Sequence, residues 1–247
     1  MNIVVIAAMP EEFSAVARCL EAGAVRQSSG LTALYGHVSG HDVVVLESGM
    51  GFDNAARAAE MAIREQRPDL LISVGFCGGV SPELQAGDVV VAKQMVIVTR
   101  NGLEEVPVSF AGTGQTFVAR QVEMRVFGGL FASTPAIMSK KRLAGMLPAG
   151  CPYPVVEMES AAIAIIAAEN NIPLLAIRAV SDTIADELGF SLEEFCDSNM
   201  RRIRPFKVLL TALRKPRILP QLVRLAFNSR RAAESLTAAL SRLFPVL

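Results

Sequence analysis

Short apolar runs alternate along the chain with segments of helical spacing. Three runs, Met1–Ala8, Asp69–Val74 and Leu174–Val180, are rich in aliphatic and β-branched residues, which is typical of strands buried on both faces of a sheet. Helical patterns rich in alanine cover 54–65 and 159–170. This alternation predicts an α/β protein, in which a largely parallel sheet carries helices on both faces.

Four weaker strands and one loop complete the prediction. Leu31–Val38 and Asp42–Glu47 are expected to be two strands joined by the turn Ser39-Gly40-His41, because glycine favours a tight connection at that point. Val89–Ala92 and Val155–Met158 are short Val-containing runs and are predicted to be strands. The polar, glycine-bearing stretch Asn101–Thr116 is predicted to be a loop.

The composition is that of a globular protein. Of 247 residues, 51% are hydrophobic, 19% charged and 6% aromatic, which excludes a disordered chain, a collagen-like fibre and a small disulfide-stapled domain. No apolar run reaches the roughly 18 residues of a spanning helix, and the acidic N-terminus does not resemble a signal peptide. We therefore expect a cytoplasmic protein with reduced cysteines. The cysteines and histidines have no metal-ligand spacing, so no metal is expected.

Charge is distributed unevenly although the net charge is zero. Residues 201–247 contain 11 Lys and Arg and one acid, Glu234, so residues 1–200 carry an excess of ten acids. We expect a catalytic domain over 1–200 and a basic helical C-terminal extension over 201–247, with helices at Phe206–Lys215 and Leu222–Leu243. The extension either packs on the body or a neighbouring subunit, or contacts anionic lipid at the inner membrane face. Nucleic acid is disfavoured, because only three phenylalanines are available for stacking.

Candidate chemistry lies where the predicted strands end. In open parallel sheets, ligands bind beyond the carboxyl ends of the strands. Acids and glycines occur there at Glu11, Glu12, Ser48–Gly51, Gly75–Gly79, Glu157, Glu159, Ser181 and Asp182. Acids at helix starts also complement the helix dipole, and glycines also serve tight turns. The combination nevertheless predicts several carboxylates on one rim.

Six motifs, in their order and spacing, resemble the methylthioadenosine/S-adenosylhomocysteine nucleosidases of the nucleoside phosphorylase superfamily. They are MNIVVIAAMPEE, SGMG, SVGFCGGV, AGDVVVA, VVEMESAAIA and AIRAVSD. The resemblance covers about residues 1–95 and 150–200, and VEMES followed by RAVSD is its most specific part. It implies a three-layer α/β/α sandwich with a central mixed, mostly parallel sheet, a homodimer, no cofactor, and cleavage of the bond between ribose C1′ and a purine nitrogen.

The resemblance also implies catalytic roles for four residues. Asp182 would donate a proton to N7 of adenine, Glu12 would orient and deprotonate the attacking water, and Arg178 and Ser181 would position these groups. Chemistry supports such a set, because the departing base leaves an oxocarbenium-like sugar that needs an acid on one side and a base on the other. An apolar strand end and neighbouring carboxylates are expected to keep Asp182 protonated. The alternative to a catalytic role is a structural one, in which Asp182 is a helix N-cap after Ser181.

Substrate-binding residues follow from the same resemblance. Glu159 would hold the ribose hydroxyls, with Met158 packed beneath the sugar. Where the nucleosidases place a phenylalanine against adenine, the matching residue is Ile137. The further substrate-binding candidates are Met50, Phe76, Cys77, Gly78, Met138 and Glu157.

The nucleophile is either water or phosphate. Phosphorylases of the superfamily place a glycine-rich, arginine-assisted phosphate site near the first turn, where this chain has Pro10-Glu11-Glu12. A carboxylate about 4 Å from a phosphate oxygen costs about 4 kcal/mol at an effective dielectric of about 20, which favours water. Phosphate is the alternative co-substrate. The backbone N–H groups of Gly75, Gly78 and Gly79 could bind an anion, with the help of Arg57 or Arg178.

Two departures from the nucleosidases concern the substrate. The segment Val96–Gly129 is shorter than the one that builds their 5′-substituent pocket, and the basic extension is absent from compact nucleosidases. Both features resemble the hopanoid-associated phosphorylases, which act on an adenosine with a large 5′ lipid. The alternatives are therefore phosphorolysis of a purine nucleoside, including a 5′-lipid-substituted adenosine, and a catalytically inactive nucleoside-binding protein.

Overall fold

The computed structural model describes residues 1–28, 30–186 and 219–247. Its strands are β1 (Asn2–Ala7), β2 (Glu21–Ser28), β3 (Leu31–Val38), β4 (His41–Glu47), β5 (Leu70–Gly79), β6 (Val89–Thr99), β7 (Gly102–Glu105), β8 (Val126–Ser133), β9 (Val155–Glu157) and β10 (Leu174–Asp182). Its helices are α1 (Pro10–Ala17), α2 (Phe52–Gln66), α3 (Gly112–Arg120), α4 (Lys140–Met146), α5 (Ser160–Glu169) and α6 (Leu219–Leu243), followed by a 3₁₀ turn at Phe244–Val246.

These strands form one mixed sheet centred on β1. The apolar β1 pairs in parallel with β4 and β5, so that Val4 lies between Val44 and Leu71. On one side, β2, β3 and β4 form an antiparallel meander, with the predicted hairpin between β3 and β4. On the other side, β5 pairs in parallel with β10. The predicted α/β class and mixed sheet are confirmed.

Five strands at this side of the sheet close into a ring. β5 pairs with β10, β10 with β6, β6 with β8 and β8 with β9, and β9 returns to β5 through Gly78 and Gly79. Closure brings the ends of β5, β8, β9 and β10 close together. The acids that follow these strands are thereby gathered at one rim of the ring.

Helices cover both faces of the sheet and complete three layers. On one face, α2 and α5 pack against each other, and their alanines allow the two helices to lie close to the strands. On the other face lie α1, α3 and α6, with Phe117 and Leu236 in a second apolar cluster. Burial of apolar side chains in these two clusters is the main favourable contribution to folding.

Three local predictions differ from the structure. The strand predicted at Asp69–Val74 does not end before Gly75–Gly79 but continues through these residues as β5, because the glycines admit close neighbours: an ideal Cβ at Gly78 would lie 3.0 Å from Val156. The segment Asn101–Thr116 is only partly loop and contains β7 and the start of α3. The strand predicted at Val89–Ala92 is also longer, and extends to Thr99.

The last described helix belongs to the body of the protein. α6 covers the predicted helix Leu222–Leu243, and its second half packs on α1, β5 and β10. Its buried side chains are Ala232, Leu236, Ala239, Leu240 and Leu243. The predicted helix Phe206–Lys215 lies outside the described residues, and the division at residue 200 stays a prediction. Within the described ranges, no helix is both long and apolar enough to cross a bilayer.

Candidate active site

A fully buried arginine forms the centre of the rim. Arg178 on β10 is 1% exposed, and its Nη2 donates to Glu157 Oε2 at 2.8 Å and to Ser73 Oγ at 3.1 Å. The same nitrogen lies 3.9 Å from Glu159 Oε2. Among the described residues, Arg178 Nε has no hydrogen-bond partner. The site therefore holds one buried cation that two glutamates share and one donor that is still available.

Glu157 stabilises this cation and the start of α5. Its Oε2 also accepts from the backbone N–H groups of Ser160 at 2.7 Å and Glu159 at 3.0 Å, and its Oε1 accepts from Ser133 Oγ. Burial opposes the ionised form, but Arg178 and these three hydrogen-bond donors hold the pKa of Glu157 below its ordinary value. Both carboxylate oxygens are used within the protein, which indicates a permanent negative charge with a structural function.

Glu159 is the more reactive of the two glutamates on this segment. It precedes α5, and its Oε1 accepts from the backbone N–H of Gly51 at 2.8 Å. Its side chain is 13% exposed, so it reaches the surface of the site. Burial first, and the neighbouring charge of Glu157 second, raise the pKa of Glu159 to about 7. This carboxyl changes its charge near neutral pH and can accept or donate a hydrogen bond to a ligand.

Glu12 faces the arginine from the first turn of the chain. Its Oε2 accepts from the N–H groups of Ala8 and Met9, both at 2.9 Å, and its Oε1 accepts from Phe76 N at 2.7 Å. Burial raises the pKa of Glu12, while Arg178 and the three N–H groups oppose that rise. The two acids predicted at this position differ in burial, since Glu12 is buried and Glu11 is exposed.

Gly75 keeps the space between Glu12 and Arg178 open. An ideal Cβ at this position would lie 2.8 Å from Glu12 Oε1 and 3.3 Å from Arg178 Nε. A side chain would therefore displace the carboxylate from its backbone donors. The glycine serves a close approach of functional groups within a strand, as glycines in strand interiors often do.

Asp182 ends β10 and is partly exposed. Ser181 Oγ donates to its Oδ1 at 2.7 Å, and Lys140 Nζ forms an ion pair with its Oδ2. The sequence predicts apolar and acidic surroundings for Asp182. This prediction is wrong in one respect, because the buried ammonium group of Lys140 lies beside the carboxylate. Lys140 was not among the residues that the sequence singled out. Its one signal is its position two residues after the predicted substrate-binding residue Met138.

Cys77 connects the two parts of the rim. Its buried thiol is close enough to four charged residues for their charges to act on it: Arg178, Asp182, Glu157 and Glu12. Desolvation raises the pKa of Cys77 well above its ordinary value, so the thiol stays neutral. The predicted acids therefore do converge on one rim, around an uncharged side chain.

The other predicted substrate residues lie around this rim with different exposures. Met50, Phe76, Met138 and Met158 are half-buried, and Gly78 pairs with Asp182 across β5 and β10. Ile137 is 45% exposed, and its predicted contact with adenine stays a prediction. In the described part of the chain, no cluster of three or more His, Cys, Asp or Glu could hold a metal ion.

Comparisons with known proteins agree with the fold and the motifs. The family model described as "Phosphorylase superfamily" matches residues 2–214. The 5′-methylthioadenosine/S-adenosylhomocysteine nucleosidase of Bacillus cytotoxicus is 30% identical over 213 residues, which cover 80% of this chain and 92% of that protein. The same enzyme of Geobacillus kaustophilus is 30% identical over 217 residues, which cover 80% and 91%.

Solved structures show the same architecture. The nucleosidase of Neisseria meningitidis in complex with methylthio-immucillin-A has a TM-score of 0.75 and 23% identity, covering 100% of this chain and 99% of that one. The nucleosidase of Colwellia psychrerythraea in complex with adenine has a TM-score of 0.76 and 19% identity, covering 100% and 96%. Together with the family match, these likenesses show that the chain belongs to the phosphorylase superfamily and is similar within it to the 5′-methylthioadenosine/S-adenosylhomocysteine nucleosidases.

Proposed function

We propose that this protein hydrolyses the N-glycosidic bond of an adenine nucleoside of the methylthioadenosine or S-adenosylhomocysteine type and releases adenine. The observation that carries the proposal is the rim itself, where Glu12 and Glu159 flank Arg178 while Asp182 lies at the end of the same strand. Relatives at 30% identity are nucleosidases of that name, which supports this reaction.

Each carboxyl has a separate role in the proposed reaction. When the bond between C1′ and the base nitrogen breaks, its electron pair moves to the base, and a proton delivered through Asp182 to N7 makes the base a neutral leaving group. Glu159 holds the ribose hydroxyls in this proposal and stabilises the positive charge of the sugar. Glu12 takes a proton from the attacking water. In this proposal one carboxyl acts on the leaving base and another activates water, which is the division of roles in an inverting hydrolysis.

Water is favoured over phosphate as the nucleophile, because the two arginines that are candidates for binding phosphate already have partners within the protein. Arg178 is already ion-paired with Glu157, and Arg57 is exposed on α2, where its Nη2 donates to Asn54 Oδ1 at 3.1 Å. A phosphate beside Glu12 would meet like charge, which costs about 4 kcal/mol at about 4 Å and an effective dielectric of about 20. The described residues thus present carboxylates where a phosphorylase needs cations.

The test is an assay of base release with and without phosphate. Methylthioadenosine, S-adenosylhomocysteine, adenosine and inosine are supplied in turn, and the sugar product is identified. We expect adenine and free ribose at a rate that phosphate does not change. Ribose 1-phosphate that forms only with phosphate identifies a phosphorylase, and binding without turnover of any nucleoside identifies an inactive nucleoside-binding protein.

We also propose that the protein is a cytoplasmic homodimer, as its resemblance to the nucleosidases implies, and that α6 contacts anionic lipid. Val223 and Phe227 lie four residues apart on α6 and are 64% and 70% exposed, and Arg224 and Arg230 are exposed beside them. Apolar side chains flanked by arginines are typical of interfacial helices. A cavity of about 140 Å³ lies between α6 and Asp182, and a lipid contact at α6 keeps the 5′-lipid-substituted adenosine as a second candidate substrate.

Vesicle co-sedimentation tests this contact. A chain cut after Met200 would lose the core residues of α6, so the variant to compare is Val223→Ser/Phe227→Ser in the full chain. We expect at least a fivefold loss of binding to vesicles that contain phosphatidylserine. Equal partitioning of the two proteins rejects the lipid contact.

A further inference from the structure

Lys140 is a buried cation next to the proposed proton donor. It begins α4, is 7% exposed, and its Nζ forms the ion pair with Asp182 Oδ2. The same nitrogen donates to the backbone carbonyl of Asp186 at 3.2 Å. Burial of a lysine side chain is costly unless its charge is paired. Asp182 supplies the opposite charge that pairs with Lys140.

The fold makes room for this lysine. An ideal Cβ at Gly78 would lie 3.1 Å from Lys140 Cδ and 3.3 Å from Asp182 Oδ2. The aliphatic part of Lys140 therefore passes β5 at Gly78, where the strand has no side chain, and its ammonium group ends at the Asp182 carboxylate. Within the described ranges, the charged or titratable groups near the pair include the Cys77 thiol and Asp186, whose Oδ1 lies 2.9 Å from Arg224.

We propose that Lys140 is a positioning residue that supplies, through Asp182, the proton taken up by the leaving base. This inference rests on the proposed function and deepens it. An ion-paired carboxylate has no proton of its own to donate, whereas the ammonium beside it has three. The pair together therefore carries the proton that the reaction consumes.

The proposed step balances. Before bond cleavage, the site contains the Lys140 ammonium and the Asp182 carboxylate. As the electron pair of the C1′–N9 bond moves onto the base, one ammonium proton passes to Asp182 and one proton passes from Asp182 to N7. The products of this step are a neutral adenine, the Asp182 carboxylate, a neutral Lys140 amine and a sugar cation. Water adds to the sugar cation at C1′ while Glu12 takes the proton of that water, and a proton from solvent then restores the ammonium.

The experiment compares Lys140→Met and Lys140→Arg with the wild-type protein on two substrates. Methylthioadenosine has a base that must be protonated to leave, whereas 4-nitrophenyl β-ribofuranoside has a leaving group that departs as an anion. We expect Lys140→Met to lower kcat for methylthioadenosine about 10²-fold, as for loss of a proton-transfer group, with KM within threefold. The aryl riboside should be cleaved within threefold of the wild-type rate. Lys141→Met, on the exposed neighbouring residue, is the matched control and should match wild type.

Two further measurements separate proton supply from a purely structural role. Lys140→Arg keeps the positive charge, but a guanidinium does not release its proton, so we expect no recovery. In Lys140→Met, the proton must come from a carboxylic acid alone, so the ratio of its kcat to that of the wild-type protein should increase as the pH falls from about 7 to 5. The ratio is compared because Glu159, with a pKa of about 7, changes its charge over this range in both proteins. This pH profile is readable on the adenine nucleoside by itself.

Specific outcomes overturn the inference. Recovery by Lys140→Arg to within threefold of wild type, or an equal loss on both substrates after Lys140→Met with an unchanged melting temperature, rejects proton supply by Lys140. Absence of base release from every adenine nucleoside by the wild-type protein rejects the proposed function instead, so the two failures are distinguishable.

Discussion

Asp182→Asn is expected to lower kcat for adenine release by about 10²–10⁴-fold, the range for loss of a general acid. An asparagine keeps the size of the side chain and can still accept the hydrogen bond from Ser181, which spans 2.7 Å in the wild-type protein. It cannot pass a proton from Lys140 to the base. The measurement is kcat and KM for methylthioadenosine, with KM expected to change little.

The aryl riboside serves as the internal control for this variant. Because its leaving group needs no proton, its cleavage by Asp182→Asn should stay within about tenfold of wild type. A loss of less than threefold on methylthioadenosine removes Asp182 from the mechanism. A comparable loss on both substrates assigns Asp182 to substrate positioning rather than to proton transfer.

Glu12→Gln is expected to abolish hydrolysis, with a loss of at least about 10³-fold, while adenine still binds. The amide cannot accept a proton from water. It also presents an NH₂ group to one of the backbone donors that Glu12 now binds, either Phe76 or the pair Ala8 and Met9. An unsatisfied buried N–H costs about 1–3 kcal/mol, so some loss of stability should accompany the loss of activity.

Glu11→Gln is the matched control, because Glu11 is the exposed neighbour on the same helical turn. It should retain wild-type hydrolysis. Adenine binding by both variants is measured by titration calorimetry, and the melting temperature shows whether Glu12→Gln is folded. Hydrolysis retained by a folded Glu12→Gln protein excludes this residue as the base.

The sequence predicts the elements whose pattern is local. β1, β3, β4 and β10 are continuous or alternating apolar segments, and their burial in the structure explains the pattern. β2 could not be found in this way, because its sequence EAGAVRQS lies at the edge of the sheet and is largely exposed. β8 carries two glycines, of which Gly129 faces the backbone of Tyr153 so closely that no side chain fits.

The residues of the candidate site also fall into two groups, those that the local sequence pattern predicts and those that it does not. Glu12, Glu159 and Asp182 follow apolar segments, so their place at the rim could be predicted from the order of strands and helices. Lys140 could not, since its 42-residue separation from Asp182 is closed only by the ring of five strands. Nor does a lysine pair at the start of a short helix predict a buried charge, because lysines there are usually solvated.

The burial of α6 against β10 has a consequence for synthesis of the protein. The side chains of Leu236, Leu240 and Leu243 cover the same sheet face as β1 and β5, which precede them by more than 150 residues. A nascent chain can cover this face in part with α1 and α3, but it cannot complete the burial until α6 has left the ribosome. At about 5–20 residues per second, the partly made sheet exposes an apolar surface for seconds, and during that interval it is a natural target for chaperones.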